Sequence, residues 1–206
     1  MVKPYIDDIN RYLESSKIID YDNDNIRRVA DRLYDKSASE TDFVRNAYEY
    51  VRDKFPHSAD AGKDELLCAA SEVLTAGHGI CFAKSHLLAA ILRCKGVPAG
   101  LCYQKLILDD ETAPYLIYHG LNGVYLSEFD RWIRLDARGN RADVNAQFSV
   151  EEEKLAFSVR EEYNEIDIET VFSEPDKEII KVFERCGTRT ELWANLPSRL
   201  AYTGDL

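Results

Sequence analysis

The sequence predicts an α+β fold in which a central helix that carries a cysteine packs on an antiparallel sheet, with helices before and after this core. Two observations support this prediction. Apolar residues recur at positions 83, 87, 90, 91 and 94, which is the spacing of one helical face. After Gly96 the pattern changes to extended apolar segments joined by turns, and no helix separates them, so the strands should pair antiparallel. At 206 residues the chain is long enough to form one domain with a proper core.

An N-terminal helical segment, residues 1–38, is expected to precede the core. Residues 4–14 have the pattern of a first short helix, and residues 24–34 that of a second. Asp22 or Asp24 would cap the second helix, because a carboxylate accepts hydrogen bonds from the free N–H groups of a helix start.

The core, residues 39–148, opens with a third helix. Ser39 or Thr41 marks its start, since both residue types are good helix caps. The helix runs to Lys54 or Phe55, because the proline that follows lacks a backbone donor and stops it.

The helix that carries the cysteine follows a glycine-containing turn. A short helix over residues 68–74 leads into Gly77 and Gly79, and Cys81 stands at or next to the first turn of the apolar helix, which Gly96 closes. Free backbone N–H groups and the positive end of the helix dipole favour a thiolate at that position. Cys81 is therefore the strongest candidate on the chain for covalent chemistry.

Three strands are predicted after this helix, over residues 99–108, 115–126 and 131–136. Residues 109–114 form a turn-rich connection, and residues 127–130 make the second and third strands a hairpin. The resulting sheet should pack on the cysteine helix.

An acidic C-terminal extension, residues 149–206, should pack on the core, so that the chain forms one domain overall. Residues 151–178 contain 11 acidic and 3 basic side chains, a pattern typical of a solvated surface, with a docking site for a basic partner as the alternative. The predicted elements of the extension are a helix over 150–157, a strand over 166–172, and helices over 176–186 and 190–196.

Four histidines are candidates for the catalytic partner of Cys81. Cysteine-dependent acyl transfer needs a thiolate, an imidazole that takes and returns the proton, and a third group that holds the imidazole. His86 lies five positions after Cys81 and thus on another face of the helix, His78 lies in the turn, and His57 lies in a loop. His119 falls on the middle predicted strand and is the best partner for Cys81.

The predicted hairpin indicates whether a carboxylate can reach His119. If Leu126 pairs with Arg131, Asp136 lies opposite Leu121 and diagonal to His119, and a register shift of two residues places it directly opposite His119. In both registers the two side chains share a face, because strand side chains alternate. Asp136 can therefore hold the ring nitrogen that is distant from the sulfur.

These motifs follow one another in a fixed order. A Gly-x-Gly-x-Cys turn opens an apolar helix that ends Gly-Val-Pro-Ala, a histidine lies on a strand, and an aspartate ends the next strand after a tryptophan. The set resembles the transglutaminase-like superfamily. The resemblance covers roughly residues 40–140, and its matching residues are 77–99, 118–125 and 132–136, with 48–55 similar to the helix that precedes the family's core.

The resemblance implies a papain-like α+β core and assigns three catalytic roles. Cys81 would be the nucleophile, His119 the general base and acid, and Asp136 the orienting carboxylate. The family often has a tryptophan and a glutamate shortly after its histidine, whereas residues 119–123 read His-Gly-Leu-Asn-Gly here, so the resemblance does not extend to the substrate groove. The chain is more similar to the small bacterial branch than to the calcium-activated cross-linking enzymes.

An oxyanion hole is also needed for acyl transfer, and the backbone N–H of Cys81 is its natural first donor. The sequence leaves the second donor open among His57, His78 and Tyr103.

No cofactor or metal is expected. The cysteines and histidines do not form pairs at zinc-ligand spacing. Residues 20–25 have the composition of a calcium loop, but Asn25 stands where the sharp turn needs glycine and Asp31 where a glutamate should complete the coordination. This acidic run is expected to cap a helix.

The composition excludes some classes of binding partner and indicates the cellular compartment. The net charge of −11 argues against nucleic acid, and no apolar run approaches membrane-spanning length. The first residues lack a secretory signal, and five cysteines without a framework spacing indicate reduced thiols, so a cytoplasmic location is expected. The oligomeric state is left open.

The predicted function is cysteine-dependent acyl transfer on an amide bond of a peptide or protein substrate, through a thioester intermediate. Hydrolysis, by a peptidase or amidase, is favoured over amine transfer by a transglutaminase. The alternative from another class is a non-catalytic binding module on the same fold, with residues 151–178 as its contact surface.

Overall fold

The computed structural model describes residues 2–109 and 111–202 and has the predicted α+β fold. Within these residues the α-helices are α1 (Asp24–Tyr34), α2 (Glu40–Lys54), α3 (Ala70–Ala76), α4 (Cys81–Arg93), α5 (Lys177–Arg185) and α6 (Arg189–Asn195). The strands are β1 (Lys3–Pro4), β2 (Ala99–Asp109), β3 (Ala113–Leu126), β4 (Arg131–Leu135) and β5 (Ile166–Phe172). They form one sheet of order β1-β5-β2-β3-β4, in which every pair is antiparallel except the short parallel pair of β1 and β5.

The predicted helix over residues 4–14 is wrong. β1 pairs with β5 instead, and only a single 3-10 turn, Ile9–Leu13, follows it, with Asp8 as its cap. The Tyr12 hydroxyl donates a hydrogen bond of 2.9 Å to the carbonyl oxygen of Val171 on β5. Such contacts with a distant strand override a weak local helical pattern.

The helices before the cysteine confirm the other predictions, with changes at their ends. α1 has the predicted bounds, but its cap is Asn23 rather than Asp22 or Asp24. Ser39 caps α2, as expected, by accepting the Asp42 N–H at 3.2 Å. α3 begins two residues later than predicted.

The predicted strands are also present. β2 and β3 extend the predicted segments 99–108 and 115–126, and β4 ends one residue short of 131–136. The hairpin turn over 127–130 contains a single 3-10 turn. Asp110, within the predicted connection between β2 and β3, lies outside the described residues.

α4 forms the centre of the core. Every side chain from Cys81 to Arg93 is buried, with α1, α2 and α3 on one side and β2 and β3 on the other. Asn122 on β3 donates to the Ser85 carbonyl oxygen at 2.9 Å and fixes the helix to the sheet. The Arg93 guanidinium donates to three backbone carbonyl oxygens at 2.6–2.8 Å, so each of its three buried nitrogens has a hydrogen-bond partner.

The C-terminal extension supplies β5, α5 and α6, close to the predicted strand and helices, but the predicted helix over residues 150–157 is wrong. Residues 145–159 form an irregular segment, the strap, that packs on β3 and β4. Its backbone groups bond outside any helix: the Gln147 N–H donates to the Lys154 carbonyl oxygen at 2.9 Å, and the Ala156 N–H donates to Asp136 at 3.0 Å. These bonds replace the i to i−4 pattern that a helix requires.

Candidate active site

Cys81 begins α4, at the position that the sequence indicates. The N-cap residue Ile80 supplies no side-chain acceptor, so the free N–H groups of the first turn remain directed towards this end of the helix. Cys81 is only 9% exposed. Burial acts to raise the pKa of its thiol, but the charge of His119, a hydrogen bond with that ring and the Gly120 N–H together hold the pKa of Cys81 below its ordinary value.

His119 on β3 and Asp136, directly after β4, form a buried pair. Leu126 pairs with Arg131, the first of the two registers considered, and continuing this register places Asp136 opposite Leu121 and diagonal to His119. His119 Nε2 lies 2.8 Å from Asp136 Oδ2. The structure therefore brings together the two side chains that the hairpin predicted to share a face.

Three donors hold the Asp136 carboxylate. Its Oδ2 accepts from His119 Nε2 and from the Ala156 N–H at 3.0 Å, and its Oδ1 accepts from the Arg138 N–H at 3.0 Å. Burial acts to raise the pKa of the carboxyl, but the charge of His119 and these hydrogen bonds hold the pKa of Asp136 below its usual range. Asp136 is thus an anion at neutral pH.

His119 lies between two groups that favour its charged form. Burial acts to lower the pKa of its imidazole, but the charges of Asp136 and Cys81 raise the pKa of His119 above its ordinary value. Because Nε2 faces Asp136, Nδ1 is the ring nitrogen left for the sulfur. The arrangement therefore favours a thiolate–imidazolium pair, the reactive form of a cysteine nucleophile.

A cavity of about 330 Å³ adjoins Cys81 and His119. Its charged lining groups already have partners: Arg138 binds Asp60 through hydrogen bonds of 2.6 and 3.1 Å, and Asp109 accepts from Thr112. Most of the remaining lining is apolar and includes Phe82, Leu106, Ile107, Ile117, Phe157 and Trp193. The cavity can therefore place an uncharged group of a substrate beside the sulfur.

Sequence comparison identifies the family. The model of the transglutaminase-like superfamily matches residues 27–137, just over half of the chain and all three of Cys81, His119 and Asp136. The chain belongs to the transglutaminase-like superfamily. The resemblance inferred from the motifs is thus confirmed.

Solved structures are similar to this transglutaminase-like chain at low sequence identity. A candidate cysteine protease from Cytophaga hutchinsonii is 19% identical, with a TM-score of 0.51, over 65% of this chain and 43% of that one. The periplasmic domain of TgpA from Pseudomonas aeruginosa is 20% identical, with a TM-score of 0.47, over 65% of this chain and 48% of that one. The chain thus spans less than half of either structure. No curated protein matches it.

Two residues of the strap contact Asp136 and His119 in this transglutaminase-like protein, and neither was predicted from the sequence. The Ala156 N–H bonds to Asp136, and the Phe157 ring packs edge-on against the His119 ring with centroids 5.1 Å apart. The strap has no regular secondary structure, so no periodicity in the sequence could have placed either residue beside the histidine.

Lys84 is a third residue that sequence reasoning missed. It is fully buried, and its Nζ donates to the carbonyl oxygens of Arg138 at 2.7 Å and Arg52 at 3.3 Å. Burial lowers the pKa of Lys84 to about 7. A lysine within a mainly apolar helix, one turn after the cysteine, is the signal in the sequence that points to this residue.

The other candidate residues that the sequence offered lie in different parts of the structure. His86 bonds to a backbone carbonyl oxygen inside the core at 2.8 Å, and Tyr103 Oη accepts the Asp176 N–H at 2.9 Å. His78 is paired with Ser58 at 3.0 Å. Only His57 of these lines the cavity with Cys81, within the described residues.

Gly120 lets β3 approach the first turn of α4 closely. A Cβ added at Gly120 would lie 2.6 Å from Phe82 Cδ1 and 3.2 Å from Phe82 Cα. The Gly120 N–H also supports the Cys81 thiolate. The absence of a side chain here is therefore required for the contact between Cys81 and β3.

Replacing Gly120 with alanine should push α4 away from β3. We expect the free energy of unfolding to fall by about 1–3 kcal/mol, the usual cost of overpacking. Alkylation of Cys81 at about pH 6 should slow towards the rate of an ordinary thiol. Urea denaturation and mass-spectrometric labelling measure the two effects.

The control is the double variant Gly120→Ala with Phe82→Leu, which removes the ring that the new methyl group meets. Recovery of stability and labelling in the double variant would show that the effect is steric. Unchanged labelling in Gly120→Ala would contradict the close-approach argument.

The acidic run at residues 20–25 has structural roles. Asn23 caps α1, and Asp20 accepts the Ser71 N–H at 3.0 Å. Among the described residues, no group of three or more His, Cys, Asp or Glu side chains could hold a metal ion. In the same part of the chain, we find no helix with the length and apolar character needed to cross a bilayer.

Proposed function

We propose that this transglutaminase-like protein is a cysteine-dependent acyl-transfer enzyme that acts on amide bonds of peptides or proteins. The observation on which the proposal depends is the buried arrangement of Cys81, His119 and Asp136 beside a largely apolar cavity. An anionic sulfur, a charged imidazole and an orienting carboxylate are the groups that nucleophilic acyl transfer requires.

The reaction would proceed in two steps. In the first, the Cys81 thiolate attacks the amide carbonyl carbon, and the tetrahedral intermediate collapses to a thioester as the amine leaves with a proton from His119. In the second, His119 takes a proton from the incoming nucleophile, which displaces the sulfur and regenerates the thiolate. Asp136 keeps the imidazole oriented throughout.

Water is the proposed nucleophile of the second step, which would make the enzyme a peptidase or amidase. A structural neighbour described as a candidate cysteine protease agrees with this choice. An amine in place of water would make the same intermediate serve a transglutaminase, because the first step is identical in both reactions.

The first test is alkylation. Cys81 should react with iodoacetamide at about pH 6, where an ordinary thiol is almost wholly protonated. The internal control is Cys94, because burial raises the pKa of its thiol. The enzyme proposal fails, in favour of a binding module, if Cys81 is labelled no faster than Cys94 or Cys186 in the folded protein.

The second test separates the two nucleophiles. Peptides that contain glutamine are incubated with the protein, with and without a fluorescent primary amine. Hydrolysis predicts free acid or cleaved peptide whether or not the amine is present. Incorporation of the amine with little free acid would overturn hydrolysis and favour amine transfer.

A further inference from the structure

His57 occupies the side of the cavity beside the start of α4. Its backbone forms an isolated bridge with Gly79, two residues before Cys81, and the Ser58 N–H donates to the Gly79 carbonyl oxygen at 3.1 Å. The residue is only 6% exposed and lines the cavity together with Cys81 and His119. The loop that carries His57 is thus held against the turn that carries the nucleophile.

Hydrogen bonding fixes the tautomer of the His57 ring. Nδ1 accepts the Ala59 N–H at 3.3 Å, so in the neutral ring the proton resides on Nε2. The ring also packs face to face with Trp193 of α6, with centroids 6.5 Å apart and planes 23° apart. His57 therefore presents a fixed N–H donor rather than a freely rotating ring.

The ring stays neutral in this place. Burial, supported by the charge of Arg138, lowers the pKa of His57 to about 3. A neutral imidazole can donate from Nε2 without competing with His119 for the proton of the sulfur. The two histidines of the cavity thus differ in charge state as well as in position.

We propose that His57 Nε2–H is the second donor of the oxyanion hole, beside the backbone N–H of Cys81. This inference rests on the proposed acyl-transfer function. When the sulfur bonds to the carbonyl carbon, the π electron pair moves to the carbonyl oxygen, and His57 and Cys81 donate to that oxygen. The pair returns to re-form the carbonyl as the amine departs with the proton from His119, so His57 itself gains and loses no proton.

The test compares two reactions of the same sulfur. Acetylation of Cys81 by p-nitrophenyl acetate passes through an oxyanion, whereas alkylation by iodoacetamide displaces iodide and forms none. Replacing His57 with alanine should slow acetylation by about 10²–10³-fold, the usual effect of removing one oxyanion donor. Alkylation at about pH 6 should stay unchanged, because the thiolate–imidazolium pair is intact.

Two variants serve as controls. In His57→Gln the side-chain amide can still donate, so acetylation should be partly rescued. His78→Ala removes a buried histidine of the neighbouring turn that does not line the cavity, and it should leave the ratio of acetylation to alkylation unchanged. Thermal unfolding of each variant reports any loss of folding separately.

The outcomes distinguish this inference from the proposed function. Equal acetylation rates in His57→Ala and the unchanged protein would overturn the oxyanion role. A parallel loss of acetylation and alkylation would also overturn it, because His57 would then act only by supporting the cysteine. If the unchanged protein shows neither low-pH alkylation nor acetylation of Cys81, the proposed function itself fails.

Discussion

Replacing His119 with alanine should lower acyl transfer by about 10⁴-fold, the upper range for a general acid–base group. It should also abolish the alkylation of Cys81 at about pH 6. Without the imidazolium, only the Gly120 N–H still lowers the pKa of Cys81, whereas burial, the largest influence, and the negative charge of Asp136 both raise it. The pKa of Cys81 would thus move from below to above its ordinary value of about 8.5, and labelling would appear only in alkaline solution.

The measurement is the rate of iodoacetamide labelling of Cys81 between about pH 5 and 10, followed by mass spectrometry. His86→Gln is the matched control, because His86 lies on the same helix as Cys81 but is turned into the core. It should keep the low-pH labelling. Equally fast labelling of His119→Ala at low pH would mean that the helix start alone stabilises the thiolate, and His119 would lose its proposed role.

Local signals allowed the centre of the site to be predicted from the sequence. Apolar spacing and the flanking glycines gave the bounds of α4 and hence the place of Cys81. The hairpin turn is short, so it limited the pairing of β3 with β4 to few registers, and each of these brought Asp136 close to His119. Because side chains alternate between the two faces of a sheet, the register also predicted which side chains share a face.

The rest of the site depends on contacts between distant segments. Ala156 and Phe157 reach Asp136 and His119 from an irregular strap, and His57 is placed by a single bridge to Gly79. None of these three contacts requires a repeating pattern of residue types, so none leaves a periodic signal in the sequence. The sequence could name His57 as a candidate donor but could not separate it from His78 or Tyr103.

The acidic surplus of residues 151–178 has a partly structural explanation. The Arg134 guanidinium binds Glu153 and Asp167 through hydrogen bonds of 2.5–2.8 Å, and Asp176 caps α5. Glu165 accepts from Arg160 at 2.6 Å. Glu153 and Asp167 thus hold the strap and β5 on Arg134 of β4, so a solvated face, expected from the sequence, describes only part of the segment.

Replacing Asp136 with asparagine should lower acyl transfer by about 10²–10⁴-fold, because the general acid–base group loses its orienting anion. The charge of Asp136 and its hydrogen bond raise the pKa of His119. Their removal lowers that pKa, so the imidazolium loses its proton at a lower pH. In a plot of rate against pH, the alkaline limb should therefore move to lower pH.

The substitution also tests the three donors around this side chain. Asparagine offers one acceptor oxygen where the carboxylate offers two, so at least one of the His119, Ala156 and Arg138 N–H groups must face an amide N–H. We expect a loss of about 1–3 kcal/mol in the free energy of unfolding. Asp167→Asn is the matched control, because Asp167 binds Arg134 rather than His119, and its pH profile should be unchanged. An alkaline limb that stays in place in Asp136→Asn would show that Asp136 does not set the charge state of His119, and the proposed triad would reduce to a pair.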